Sequence, residues 1–250
     1  MKLLAAILTK NEARHISGCI ASVAWADQVL VSDSFSNDST PELARAAGAV
    51  VVQRVFEGWA RQRNAALDTA AQLGADWVLF VDADERATPE LAVEIRSVIE
   101  TGAEVGWGIP RINTIVGKQP RHGGFYPDFQ LRLMRIGRAR YDLSRPVHEV
   151  VVLDGAEGQL RNHLVHFNYD TWAQFHAKQR RYGAMEARVL KERGISPRPH
   201  NFILQPLREF RRRYLALQGY KDGWLGLKLG VLLAYYYGFY PYWVLLRKAS

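Results

Sequence analysis

The chain has 250 residues, of which 48% are hydrophobic, and this composition suits a sizeable core and excludes a disordered protein. Its single cysteine, Cys19, excludes an internal disulfide and fits a reducing compartment. The net charge of +8 is uneven, because residues 170–250 carry 15 Lys and Arg against 5 Asp and Glu, whereas residues 1–169 are nearly neutral. Such a basic C-terminal third indicates contact with a polyanionic surface, either nucleic acid or anionic lipid.

The first hundred residues alternate between short apolar runs and helical patterns. The run at residues 3–9 is followed by Lys10, Asn11 and Glu12, so we interpret it as a buried strand, not a signal peptide. This alternation predicts an α/β fold with a mostly parallel sheet flanked by helices. Strands are predicted at residues 3–9, 28–32, 49–53 and 77–81, and helices at residues 41–47, 60–73 and 89–100, with a further helix ending near residue 23.

The most informative motif is WVLFVDADE, in which a predicted buried strand runs into Asp82 and Asp84. Alternate residues of a strand point the same way, so both carboxylates are expected to project together from the strand end. Two acidic groups there need a cation or a polar ligand to balance them. Hard divalent ions, and the phosphates that they carry, are the natural partners. The alternative is a turn that only caps the helix beginning near Pro89.

The remainder of the chain changes character twice. Residues 107–167 show short strands and Gly-rich turns, which predict antiparallel structure. Residues 171–193 predict a long charged helix, and residues 202–217 predict an amphipathic one with Arg208 and Arg211–Arg213 around its apolar positions. Residues 229–246 are almost uninterrupted apolar and aromatic sequence.

Four motifs in order, ILTKNE, VSDSFSNDST, QRNAAL and FVDADE, together resemble the family 2 glycosyltransferases of the GT-A fold. The resemblance covers residues 3–100 and extends in weaker form through GFYPDFQLRLMR and PVHE. Its nearest branch comprises small bacterial enzymes that add a sugar, often glucose, to the lipopolysaccharide core. The resemblance implies a catalytic domain over residues 1–167, with a nucleotide-sugar-binding half (1–100) and an acceptor half (101–167), before a basic, aromatic helical region at 168–250.

The resemblance also implies roles for the polar residues at the predicted strand ends. Asp84 is the expected ligand of Mg²⁺ or Mn²⁺, and Asp82 is expected to contact the ribose or the metal shell. A helix arginine, Arg63, is expected to meet a phosphate, although a solvated position is the alternative. Glu12 has the alternative of simply lying in a first helical turn. The remaining nucleotide-sugar-binding residues are expected to be Thr9, Asn11, Glu12, Asp33 and Asn64.

An inverting displacement also needs a base for the acceptor hydroxyl, and Asp128 of YPDFQLRLMR is the first candidate. The family usually has a Glu-Asp pair here, whereas this chain has Pro127 before Asp128. Glu149 is the second candidate. His148 is expected to contact metal or phosphate, with a core histidine as the alternative. Arg132 and Arg135 are expected to bind diphosphate or an anionic acceptor, or else to form a solvated strand face; His122, His163 and His166 show no metal-ligand spacing.

The apolar C-terminal segment is short for a membrane span, and its tyrosines and Trp243 favour the headgroup level. Together with the basic helix before it, the segment predicts peripheral, monotopic attachment to an anionic membrane surface at the cytoplasmic side of the inner membrane. A packed helical hairpin is the alternative. RNA binding by the aromatic and basic residues is not expected, because no RNA-binding motif accompanies them.

The resulting expectation is an inverting, metal-dependent glycosyltransferase that uses a nucleotide-sugar, most plausibly UDP-glucose. Its acceptor is expected to be a lipid-anchored glycan such as the lipopolysaccharide inner core. One alternative is an acceptor linked to a polyprenyl lipid, and the other is a nucleotide-sugar-binding scaffold without turnover.

Overall fold

The computed structural model describes residues 1–144 and 150–249, which form two units. The first unit contains Met1–Arg111 and Phe129–His166, and the second contains Ile112–Asp128 and Phe167–Ser250. Residues 112–128, expected in the acceptor half, therefore group with the C-terminal region instead.

The strands are β1 Leu3–Thr9, β2 Gln28–Asp33, β3 Val50–Gln53, β4 Trp77–Asp82, β5 Glu85–Ala87, β6 Gly106–Ile115, β7 Asp128–Arg135, β8 Ala139–Tyr141, β9 Val151–Leu153, β10 Glu157–Gln159 and β11 Leu164–Tyr169. The main sheet begins with four parallel strands in the order β3-β2-β1-β4 and continues as β7-β6-β11-β5. β7 runs antiparallel to β4, and β10 pairs with β6 in parallel. A separate hairpin joins β8 and β9.

Both faces of the parallel strands are covered, which explains their continuous apolar sequence. In β1, Leu3, Ala5 and Ile7 join one core and Leu4 and Ala6 join the other, because successive side chains point to opposite faces. Because β1 pairs in parallel with both β2 and β4, the carboxyl ends of these three strands lie at the same edge of the sheet. The helices of this unit are α1 Ile16–Ser22, α2 Thr40–Ala46, α3 Trp59–Gln72 and α4 Pro89–Thr101.

The second unit is helical and has its own core. Thr171 and Gln174 form a capping box at the start of α5, which fixes where this long helix begins. Phe175 of α5 packs in a cluster with Leu229, Leu233 and Tyr236. The helices are α5 Trp172–Glu192, α6 Asn201–Phe210 with a π-helical extension Arg211–Ala216, a 3₁₀ turn Gly219–Asp222, and α7 Gly223–Leu233, which continues through π-helical Ala234–Phe239 into α8 Tyr240–Ala249.

One helix in the described part of the chain, Gly219–Arg247, is long and apolar enough to cross a membrane by length and composition. Half of its most apolar window is buried inside the protein, as in a core helix. The alternative expected from the sequence, a helical hairpin packed inside the protein, therefore describes the buried half of residues 229–246.

Candidate active site

The loops after β1 and β2 are organised by Asp33, whose side chain is fully buried. Its carboxylate accepts hydrogen bonds from Thr9 Oγ1 at 3.1 Å, Gln53 Nε2 at 3.1 Å, and the backbone and hydroxyl of Ser36. Burial would raise the pKa of this carboxyl, but the hydrogen bonds outweigh burial and hold the pKa below its usual value. Asp33 and Thr9 thus shape the edge of the sheet with their polar atoms already paired.

The next segment, Asn11 and Glu12, is held against the same loop. Asn11 adopts a left-handed conformation (φ 58°), and its side-chain oxygen accepts a hydrogen bond from the Asn37 amide. The Glu12 amide donates to Thr40 Oγ1 at 2.8 Å. Burial, with the negative charges of Asp84, Asp38 and Asp82, raises the pKa of Glu12 to about 7. The edge of the sheet is therefore electronegative.

Asp82, at the end of β4, is surrounded by arginines. Arg132 donates to both carboxylate oxygens, with Nη1 3.0 Å from Oδ1. Arg63 Nη2 lies 3.6 Å from Oδ1, and Arg111 Nη1 lies 3.9 Å from Oδ2. Burial would raise the pKa of Asp82, but these three guanidinium groups hold it far below its usual range. A third of the Asp82 side chain remains exposed.

Glu85, three residues after Asp82, is a second acidic residue that contacts the same arginines. Its side chain is fully buried, and it accepts hydrogen bonds from the Asp82 amide at 2.9 Å and from Arg111 and Arg132 at 3.1 Å each. Buried charges of this kind need both partners and hydrogen bonds to be tolerated. Asp82 and Glu85, with the three arginines, form the network that we call the arginine cage.

Asp84 has a different partner. Its Oδ2 lies 3.2 Å from Nε2 of His166, which is on β11. β11 pairs antiparallel with the short strand β5, with His166 opposite Glu85, and this register brings the imidazole to the carboxylate. A carboxylate oxygen and an imidazole nitrogen at this spacing are both ligands that divalent metals accept.

A profile of the family described as "Glycosyl transferase family 2" matches residues 5–164. The chain is also 30% identical over 226 residues to the lipopolysaccharide core biosynthesis glycosyltransferase LpsC of Rhizobium meliloti, covering 86% of this chain and 81% of that protein.

The chain belongs to glycosyl transferase family 2. It is a glycosyltransferase, and the predicted enzyme class is confirmed. The predicted α/β fold is confirmed by the order of strands and helices. Among solved structures, Staphylococcus aureus TarS is 15% identical with a TM-score of 0.48, over 94% of this chain and 81% of that chain. Glucosyl-3-phosphoglycerate synthase from Mycobacterium tuberculosis, in complex with Mn²⁺ and uridine diphosphate, is 19% identical with a TM-score of 0.46, over 78% of this chain and 80% of that chain.

Within the glycosyltransferase site, Arg63 and Asn64 take separate roles. The Arg63 guanidinium packs against the rings of Phe80 and Tyr141, 5.3 and 5.6 Å from their centroids, and only 12% of the side chain is exposed. The solvated alternative for Arg63 is therefore wrong. Asn64 exchanges two hydrogen bonds of 2.9 Å with the backbone of Tyr141, which ties α3 to β8. This structural role replaces the nucleotide contact expected of Asn64.

Arg132 and Arg135 do not form a shared site. Three positions apart on one strand, they point to opposite faces of the sheet. Because β7 runs antiparallel to β4, Arg135 lies opposite Trp77, at the start of β4 and far from the carboxyl ends. The diphosphate contact expected of Arg135 is wrong, and the solvated face expected as the alternative does not hold for buried Arg132.

Two predicted residues, His148 and Glu149, lie outside the described residues. Asp128 opens β7 and belongs to the second unit, and its expected role as the base stays a prediction. Sequence reasoning missed three residues of the site, Glu85, Arg111 and His166. For Arg111 and His166 the available signal was an ionisable residue inside an otherwise apolar strand, as in WGIPRINTI and LVHFNY.

A divalent cation fits this site in part. In the described residues no three His, Cys, Asp or Glu side chains cluster closely enough to hold a metal by themselves. Asp84 and His166 supply two donors, and the electronegative surroundings of Glu12 favour a cation. Two protein donors suit a cation that arrives with a phosphate ligand, in contrast to one held in a cage of protein ligands.

Proposed function

We propose that this glycosyltransferase moves a sugar from a nucleotide-sugar to a lipid-anchored glycan, with inversion and with Mg²⁺ or Mn²⁺ held by Asp84 and His166. The observation that carries the proposal is the contact of 3.2 Å between these two side chains beside the carboxyl end of β4. In open α/β sheets ligands bind at such strand ends.

The described residues divide the work of binding the donor. A third of the Asp82 side chain is exposed, and Arg132 fixes its orientation. The carboxylate is therefore accessible to accept hydrogen bonds from a ribose. Arg63 packs against two aromatic rings next to Asp82, and its guanidinium group is our candidate contact to a donor phosphate. Asn11 and Glu12 line the adjacent loop. When bound, the cation would neutralise charge on the departing diphosphate.

The acceptor hydroxyl must lose a proton as the new glycosidic bond forms, and Asp128 is our candidate for the base. It opens β7, the strand that also carries Arg132. Glu149 is the second candidate, and His148 stays a candidate contact to metal or phosphate.

The proposed acceptor class is supported by the similarity to LpsC of Rhizobium meliloti, a lipopolysaccharide core biosynthesis glycosyltransferase. A phosphorylated saccharide-lipid is anionic, and the C-terminal third of this chain carries a net charge of +10. We therefore propose that the enzyme works at the cytoplasmic face of the inner membrane as a peripheral protein. UDP-glucose is our first candidate for the donor, because the branch of the family that this chain resembles often transfers glucose.

The test is binding of a panel of nucleotide-sugars to the purified protein, with and without Mn²⁺, for wild type, Asp84→Ala and Asp154→Ala. Asp154 is a matched control, because its exposed carboxylate pairs with Arg138 on the β8–β9 hairpin side of the unit. Metal-dependent affinity for one donor, lost in Asp84→Ala and kept in Asp154→Ala, supports the proposal and identifies the sugar.

Absence of binding to every donor, or unchanged metal dependence in Asp84→Ala, would overturn it. The acceptor is tested separately by extracting the labelled product: label recovered with lipid A supports the lipopolysaccharide core, and label recovered with undecaprenyl lipid contradicts it.

A further inference from the structure

Helix α6 presents an uncovered apolar face. Ile203, Leu204 and Leu207 are between 55% and 69% exposed, although each is a large aliphatic side chain. The helix is fixed in place by a close crossing at Pro206, because a Cβ on Gly238 would lie 2.5 Å from the Pro206 Cα. Ile203, Leu204 and Leu207 are therefore exposed on a helix that tight packing holds in position.

The neighbouring helix extends the same surface. Val231 and Tyr235, one turn apart on α7 and its π-helical continuation, are exposed and line an apolar groove with Ile203 and Leu207. We call the five residues of this surface the apolar ridge: Ile203, Leu204, Leu207, Val231 and Tyr235.

A basic strip borders the apolar ridge. Leu204, Arg208, Arg211 and Leu215 follow one another at helical spacing, so the two arginines lie on the same stripe as exposed leucines. Neither Arg208 nor Arg211 has an ion-pair partner among residues 1–144 and 150–249, whereas Arg212 and Arg213 are both paired with Glu209. The unpaired charges therefore face solvent beside apolar surface.

We infer that the apolar ridge docks on an anionic lipid bilayer, with its aliphatic side chains in the upper acyl region and Arg208 and Arg211 at the headgroups. Exposed apolar side chains, an aromatic at the border and unpaired basic residues match the two attractions that hold interfacial helices to anionic lipid. From residues 229–246 this site takes only the exposed side chains of Val231 and Tyr235, because Leu229, Leu233 and Tyr236 are buried in the core of the second unit. The inference rests on the proposed function only for the reason why the enzyme would bind a membrane. Binding to the bilayer itself requires neither donor nor acceptor.

A protein partner fits this surface less well. A second copy of the chain would have to bring its own Arg208 and Arg211 against the same residues in a symmetric contact, and like charges there are repulsive. A lipid bilayer supplies many mobile anionic groups without such a constraint.

The first test is flotation of the purified full chain with vesicles of phosphatidylethanolamine and phosphatidylglycerol, compared with vesicles of phosphatidylcholine. We expect binding to the anionic vesicles that weakens with added salt. Leu204→Ser/Leu207→Ser should reduce the partition coefficient about tenfold or more, and Arg208→Gln/Arg211→Gln should reduce it about tenfold. The matched controls change an exposed apolar residue of α4, in Val93→Ser, or two exposed arginines outside α6, in Arg45→Gln/Arg161→Gln. Both controls should bind vesicles like wild type.

A second measurement does not depend on weakened variants. The natural Cys19 is buried, so a cysteine placed by Leu207→Cys can be labelled selectively with an environment-sensitive dye. Anionic vesicles should shift its emission to the blue, whereas dye on Val93→Cys should not respond.

Equal vesicle binding by wild type and Leu204→Ser/Leu207→Ser, or no response of the dye at residue 207, would overturn the inference. So would a dimer in solution that dissociates in Leu204→Ser/Leu207→Ser, which would assign the ridge to a second copy. Resistance of the bound protein to alkaline carbonate would indicate a spanning helix and would also contradict it. Donor binding that fails while vesicle binding persists would overturn the proposed function alone.

Discussion

Arg132 donates hydrogen bonds to both carboxylate oxygens of Asp82, across the pair of strands where the parallel run meets an antiparallel neighbour. The two carboxylates of the Asp-x-Asp motif consequently have different partners, because Asp84 contacts His166. One acidic group is neutralised by arginines, and the other lies beside an imidazole, with which it is proposed to hold a metal ion. The chemistry proposed for this site follows from that division.

The arginine cage should be needed for folding. In Arg132→Met the fully buried Glu85 loses a charged partner, so we expect the free energy of unfolding to fall by about 3–5 kcal/mol. Urea denaturation measures the loss. Arg135→Met, on the same strand but exposed, is the control and should change the stability by no more than about 0.5 kcal/mol. Equal losses in both variants would contradict the role of the cage.

His166 should contribute to metal affinity. His166→Ala removes the imidazole that contacts Asp84, and we expect Mn²⁺ to bind the protein–nucleotide complex about tenfold more weakly or worse. Calorimetric titration of Mn²⁺ in the presence of the nucleotide gives the constant. His200→Ala, at an exposed position, should titrate like wild type, and the prediction fails if the two variants behave alike.

Glu12 should make stability depend on pH. Its pKa is raised from 4.5 to about 7, so the folded protein retains a proton there that the unfolded chain releases. Stability from this group is therefore present at low pH and is lost as the pH rises from about 4.5 to 7. Glu12→Gln should be more stable than wild type by about 1 kcal/mol at about pH 8, after allowance for solvent screening, with no such gain at about pH 4. Thermal unfolding at both pH values tests this, and an equal gain at each would contradict it.

Asn64 should matter for stability more than for donor binding. Asn64→Ala leaves the Tyr141 amide and carbonyl without their partners, which we expect to cost about 1–3 kcal/mol. Chemical denaturation measures the loss, and Gln72→Ala, exposed at the end of the same helix, is the control. A weakened donor affinity at unchanged stability would instead restore the nucleotide contact for Asn64.

The elements with a clear hydrophobic pattern could be predicted from the sequence. The strand Leu3–Thr9 was predicted with the bounds that the structure shows, because both of its faces are buried and its sequence is uniformly apolar. The short strand Glu85–Ala87 was missed, since three residues inside an acidic turn have no period of their own. Its pairing with β11 is nevertheless what brings His166 to Asp84.

The sequence by itself determined the family, the alternating α/β order and the acidic strand end at Asp82 and Asp84, because local pattern and motif spacing carry those signals. Only the tertiary structure decided which partner each charge receives. Arg111, Arg132 and His166 reach the acidic residues from strands that are distant in sequence, through strand pairing and register that no local pattern encodes. The exposure of α6 was decided in the same way, because its outward face depends on which side another helix covers.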